Sequence, residues 1–207
     1  VDPADNAKAF TADGWLATGD LGWIDGEGRL NLSGRSKDLI IRSGHNIDPK
    51  VIEDALGAHP AVQLCAAVGA PDAYAGELPV VFATLVPGAS ATEDELLAFT
   101  AARVDEAPAK PKSVIVIENM PMTNVGKIYK PELRAMAASR VVAAAVEQVC
   151  GELGVDAAAR PRVGHEGERL VEVRIDAAAA GALAAALPQR IQAALAPLPF
   201  KTRVLTG

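Results

Sequence analysis

At 207 residues, half of them hydrophobic, the chain is long enough for one or two packed domains and far from the composition of a disordered tail. Its formal net charge of −6 argues against a general nucleic-acid binder, which needs a basic face. No apolar run approaches the roughly 18–20 residues that cross a bilayer, so no transmembrane segment is expected.

The first residue is Val1 rather than Met, and the stretch to Phe10 reads as loop, so a fragment of something longer is expected. Residues 1–33 read as the end of a preceding domain, with short strands over 15–22 and 30–32 around the turn Asp25-Gly26-Glu27-Gly28. A polar cluster, Gly34 to Asp38, precedes the β-branched run Leu39-Ile40-Ile41, and a second turn, Ser43-Gly44-His45-Asn46, leads into a helix. Asp48 is a good N-cap, and Pro49 suits the first helical position, where a missing N–H is harmless. Val51, Ile52, Ala55 and Leu56 form the apolar face of that helix, which His59-Pro60 ends.

Strands are expected over 62–68 and 78–86. Thr92 and Glu95 form a capping box that opens a helix with Leu96, Leu97 and Val104 inside. A strand over 113–118 and a loop carrying Lys127 complete the order ββαββαβ-loop, which suits an α+β fold with helices laid on a small mixed sheet. From Pro131 a long helix follows, its stripe running through Leu133, Met136, Val142, Val146, Val149 and Leu153 to an end near Gly154. Residues 155–168 are polar. Leu170, Val171, Val173 and Ile175 suggest a strand, followed by an alanine-rich helix that Pro188 breaks or kinks and a last strand near 200–205. Residues 139–207 are thus an extra α/β extension. The two cysteines, Cys65 and Cys150, form no Cys-x-x-Cys pair and no metal-ligand spacing, so no metal site is expected. A reduced cytoplasmic compartment is the simplest setting for them.

Three polar clusters carry chemistry. In Gly14-Trp15-Leu16-Ala17-Thr18-Gly19-Asp20-Leu21, the carboxylate of Asp20 suits a ribose cis-diol, although an Asp that closes a strand-end turn satisfies the same residues. The second cluster runs Gly34-Arg35-Ser36-Lys37-Asp38-Leu39-Ile40-Ile41-Arg42-Ser43-Gly44-His45-Asn46-Ile47-Asp48-Pro49. The third is Pro121-Met122-Thr123-Asn124-Val125-Gly126-Lys127-Ile128. It is not a phosphate loop of nucleotide triphosphatases, because Ile128 follows the lysine and the earlier glycine is missing.

In this order and at these separations, the clusters resemble the C-terminal part of an AMP-forming acyl-CoA synthetase, a member of the acyl-CoA synthetase, adenylation-domain and luciferase superfamily. The resemblance covers residues 12–137. It implies that residues 1–33 end the N-terminal adenylation lobe and that 34–138 are the mobile C-terminal lobe. By the same resemblance Asp20 and Arg35 bind nucleotide, Lys37 is the hinge, and Arg42, Ser43 and Gly44 line the coenzyme A tunnel. Lys127 matches the catalytic lysine. One departure is Lys130, where many relatives carry arginine; it keeps the charge and loses the planar array of donors.

The reaction so implied joins a carboxylic acid to coenzyme A through an acyl-adenylate, using ATP and Mg2+. The phosphate loop, the adenine pocket and the acid pocket belong to the N-terminal lobe, so the chain alone is expected to hold no cofactor tightly and to catalyse nothing. Two other readings stay open: an adenylation enzyme that loads a carrier-protein phosphopantetheine, and a non-catalytic binding or regulatory module. The extension, in α-β-β-α-β order, is read as a lid, an effector site or a homo-oligomer contact.

Overall fold

The computed structural model describes residues 9–154, 160–163, 170–175, 185–199 and 201–206. The chain first forms an antiparallel hairpin, β1 (Asp20–Ile24) and β2 (Leu30–Arg35). Asp25 closes its turn: Oδ1 accepts from the N–H groups of Glu27 and Arg29 (3.0 and 2.9 Å), and Oδ2 accepts from Arg29 Nε (2.9 Å). These donors, led by the Arg29 backbone, lower the carboxyl pKa to about 2. The turn fixes the register, so the first strand lies later than the expected 15–22; Leu16 makes only an isolated bridge to Phe10. Trp23, Ile24, Leu30 and Leu32 of the ribbon are all exposed.

The main sheet has five strands. β3 (Ile40–Arg42) and β4 (His45–Ile47) form a short hairpin, and the second of these strands occupies residues the sequence reads as turn. After α1 (Pro49–Gly57), β5 (Val62–Asp72) and β6 (Gly76–Leu85) pair antiparallel along their length. The strand order is β4-β3-β6-β5. Following α2 (Glu93–Ala101), β7 (Ser113–Val116) pairs parallel to β6.

Both expected caps form. The Asp48 side chain accepts from Lys50 N–H (2.9 Å), and Thr92 and Glu95 close the capping box. On α1 it is Pro49, Ile52 and Leu56 that are buried, whereas Val51 is exposed. The helix therefore meets the sheet along one i, i+4 line, and Val51 lies about 100° off it. Ile40, Ile47, Ile52, Leu56, Val81 and Leu96 make up much of the core on that face. The opposite face, with Val68, Phe82 and Ile115, packs on Leu133 and Ala137 of α3 (Lys130–Leu153).

Cys65 of β5 donates its S–H to the Glu53 carbonyl (3.3 Å). Burial, reinforced by the Glu53 and Asp54 carboxylates, pushes its thiol up to about 11. At pH 8 its thiolate is then about a hundredfold scarcer than that of an ordinary thiol, and alkylation by iodoacetamide should be slowed to match. A rate equal to that of a free cysteine would place the sulfur in solvent.

The second half of α3 joins another core, in which Val142, Val146, Val149 and Cys150 pack on Val173 and on Leu187, Ile191 and Leu195. These last three belong to α4 (Leu187–Leu195). Here β8 (Arg160–Val163) pairs antiparallel to β9 (Leu170–Ile175), which runs parallel to β10 (Lys201–Thr206). β8 lies in the stretch the sequence reads as polar, and its Pro161 is tolerated because the strand is at the sheet edge. Pro188 sits in the first turn of α4, where its ring fits; the expected alanine-rich helix before it lies outside the described residues.

Candidate functional site

One threonine builds the Lys127 loop. The Thr123 N–H donates to the Lys127 carbonyl (2.7 Å), its carbonyl accepts from Gly126 N–H (2.9 Å), and its Oγ1 accepts from Lys127 N–H (3.1 Å). Gly126 sits at φ 76°, where a side chain would be strained. Outside this ring Met122 bridges Ile128, and Tyr129 N–H donates to the Pro121 carbonyl (2.8 Å). The spacing Pro-x-Thr-x-x-Gly-Lys is thus one closed turn anchored on the nearly buried Met120. Lys127 is exposed, and among the described residues its ammonium has no ion-pair partner. Val125, at the apex, is 79% exposed. The turn holds a cation out toward a surface.

Lys130, three residues on, does the opposite. Its Nζ lies 2.7 Å from Glu53 Oε1, and the two side chains are only 19% and 23% exposed. The same Glu53 oxygen accepts from Ala67 N–H (2.9 Å), so α1, β5 and the start of α3 meet at one carboxylate. A charged hydrogen bond of this kind is worth about 1.5–3 kcal/mol. The charge of Lys130 is structural in this arrangement, and a single contact to one oxygen requires no guanidinium.

Asp20 and Arg35 face each other across the β1–β2 ladder, with Arg35 Nε 3.2 Å from Asp20 Oδ1. Both are exposed, so the pair contributes little to stability. It does present a carboxylate and a guanidinium side by side. Gly19 accepts from Ser36 N–H (2.8 Å), which keeps the chain on the hairpin up to Ser36. The following short helical turn, Ser36–Asp38, holds Lys37 exposed at its centre.

Ser43 and Gly44 are the two central residues of the β3–β4 turn, at φ 49° and 84°, the doubly left-handed form that matches strand twist. Ser43 N–H donates to the Ala75 carbonyl (2.8 Å) and Arg42 Nη1 to that of Pro108 (2.8 Å); Glu77 Oε2 accepts from Ile41 N–H (3.0 Å). Arg42 is therefore a strut for the turn, while Ser43 and Gly44 face outward.

The predicted residues fall in three places: Asp20 and Arg35 on the hairpin with Lys37 just after it, Arg42, Ser43 and Gly44 at the β3–β4 turn, and Lys127 on its own turn. Arg42 pairs with Gly76 at the start of β6, while β7 leaves the sheet beside Ala83, seven positions and roughly 23 Å further along. The Ser43–Gly44 turn thus lies at one end of β6, and the chain that carries Lys127 departs from the other. Sequence reasoning missed Glu53 and Arg134, both central to the site's geometry. Glu53 left one trace, a carboxylate flanking the apolar Ile52 and Leu56. Arg134 left none.

Residues 51–127 match the family described as AMP-binding enzyme C-terminal domain, and the match ends on Lys127. Marinolic acid–CoA ligase of Pseudoalteromonas sp. (strain SANK 73390) is 50% identical over 129 residues, 62% of this chain and 20% of that protein. The long-chain-fatty-acid–CoA ligase of Bacillus subtilis (strain 168) is 42% identical over 130 residues, 62% of this chain and 23% of that protein. The chain therefore spans about a fifth of the length of these curated relatives. Among solved structures, ATP-bound MatB from Rhodopseudomonas palustris superimposes with a TM-score of 0.62 at 33% identity, covering 67% of this chain and 27% of that one. The o-succinylbenzoate CoA synthetase MenE of Bacillus subtilis, in complex with its acyl-adenylate intermediate, gives 0.58 at 32% identity, covering 64% and 27%.

Proposed function

We propose that this chain, whose residues 51–127 carry the AMP-binding enzyme C-terminal domain, supplies the mobile lobe of an acid–CoA ligase that works through an acyl-adenylate. The observation that supports this most directly is the exposed Lys127, whose ammonium has no ion-pair partner among the described residues. When a carboxylate attacks the α-phosphate of ATP, negative charge spreads over the attacking and bridging oxygens. An ammonium brought there in a closed site stabilises that charge more than it stabilises the ground state. Asp20 accepts from both ribose hydroxyls, and Arg35, already beside it, reaches the same nucleotide.

Once pyrophosphate leaves, the lobe turns about Lys37 and replaces the Lys127 turn with the Ser43–Gly44 turn. A tip without bulky side chains lets the pantetheine arm of coenzyme A reach the adenylate, whose acyl carbon the thiol attacks as AMP departs. The Ser43–Gly44 and Lys127 turns belong to different segments of the lobe, one beside Ala75 and the other leading into α3, and such separation supports an exchange in which rotation presents one and withdraws the other. Residues 1–33 close the N-terminal lobe in this reading. The exposed Trp23, Ile24, Leu30 and Leu32 agree with that, since a two-stranded ribbon needs a further surface to cover such residues. Residues 139–207 are an extension of separate role, although the boundary falls within α3. Among the described residues no cluster of His, Cys, Asp or Glu is arranged to hold a metal, and none is assigned to the Mg2+ that accompanies ATP. We place the protein in the cytoplasm, where ATP and coenzyme A are available.

The complete protein should therefore form a thioester with free coenzyme A when given ATP and its acid. Transfer only to the phosphopantetheine of a carrier protein would move it to the carrier-loading branch. Absence of any acid-dependent pyrophosphate release across an acid panel would favour a binding module.

A further inference from the structure

Arg134 sits on the second turn of α3, yet its Nη2 reaches back 97 positions to the Lys37 carbonyl (3.1 Å) and contacts Asp38 Oδ1 (2.7 Å). The ion pair is mostly covered, its side chains 33% and 21% exposed. The neighbouring Leu133 is fully buried under the sheet, so the helix that carries the guanidinium is fixed to the lobe. Upstream, the bonds run the other way: Arg35 pairs with Asp20, and Ser36 N–H donates to Gly19. Along the backbone these two sets of bonds divide the chain: the last hairpin bond is made by the Ser36 amide and the first lobe bond by the Lys37 carbonyl, with only the torsions of Ser36 and Lys37 between them. Across space the hairpin also rests on the lobe, where Gly34 lies against the Asp48 side chain.

We propose that Arg134 is the positioning residue that sets the pivot of this enzyme, by making the Lys37–Asp38 peptide part of the lobe. The inference rests on the reading of Lys37 as a hinge, and it adds what confines the motion there. Without the guanidinium, the torsions of Asp38 and Leu39 join the hinge, and the lobe samples orientations that serve neither half-reaction. The same helix starts at Lys130, directly after the Lys127 turn, so the pivot and the proposed catalytic ammonium are referenced to one rigid element.

The test uses the complete protein and the variants Arg134→Gln, Asp38→Ala and their double. Hydrogen exchange over residues 34–40 should accelerate about tenfold in each, the usual effect of losing a charged hydrogen bond. Pyrophosphate release and thioester formation from supplied acyl-adenylate should both slow, each by about tenfold, with the double variant no worse than either single. Arg134→Lys, which keeps the charge, should recover part of both rates. Additive losses in the double variant, or unchanged exchange in Arg134→Gln, would overturn the assignment. Should Arg134→Gln fail to fold, Asp38→Ala carries the same readouts. The underlying reading has its own control: if Lys37→Pro leaves thioester formation untouched, the hinge itself is misplaced, whatever the exchange data show for Arg134.

Discussion

Replacing Lys127 with alanine should slow acyl-adenylate formation by about 100- to 1,000-fold, the usual loss when one preorganised donor is removed from developing charge. Thiol transfer from supplied acyl-adenylate should stay within about threefold of the parent rate, because in the proposed mechanism the Lys127 turn has been withdrawn from the site before the thiol attacks. The asymmetry follows from how the turn is made. Its hydrogen bonds run through Thr123, Gly126 and the Lys127 backbone, so truncating the side chain removes an ammonium and leaves the loop closed. Measured separately in the complete protein, equal losses in both half-reactions would mean that Lys127 supports the fold rather than the chemistry. Thermal stability should barely change, since the side chain is exposed and the ammonium has no ion-pair partner among the described residues.

Lys37→Pro should give the reverse pattern. Proline fixes φ near −65°, which the short helical turn at Ser36–Asp38 accommodates at residue 37, so pyrophosphate release is expected to continue. In the proposed mechanism the swing into the second arrangement requires that angle to change. Thioester formation should therefore fall by about 100-fold, the loss expected when reacting groups are displaced by about 1 Å. Proline also pushes Ser36 out of the helical region, so a modest fall in the first step is compatible with this picture. An unchanged steady-state rate of thioester formation would show that the lobe turns elsewhere.

Local signals in the sequence were reliable wherever one residue determined one feature. Asp48 with Pro49 started α1 where expected, and Thr92 with Glu95 started α2, because a cap is satisfied within four residues. The Pro-x-Thr-x-x-Gly-Lys stretch was legible as a turn for the same reason. The resemblance to adenylate-forming enzymes matches the family found over residues 51–127 and the fold shared with MatB and MenE. Periodicity was less reliable at the margins. Val51 shares its neighbours' apolar character but faces water, and β8 was hidden in a segment with two arginines and a proline. Long-range polar contacts were not legible at all. Arg134 meets Asp38 across 96 positions, and Lys130 meets Glu53 on another element, so no local window contains both partners.

α3 runs for 24 residues without interruption, its near half under the main sheet and its far half inside the second core. At about 1.5 Å per residue it is a lever roughly 36 Å long, and a turn of ten degrees at its base carries its tip through about 6 Å. If the lobe swings as proposed, the residues packed on the far half of this helix amplify that motion, and a brake applied to α4 would be felt at the Lys127 turn.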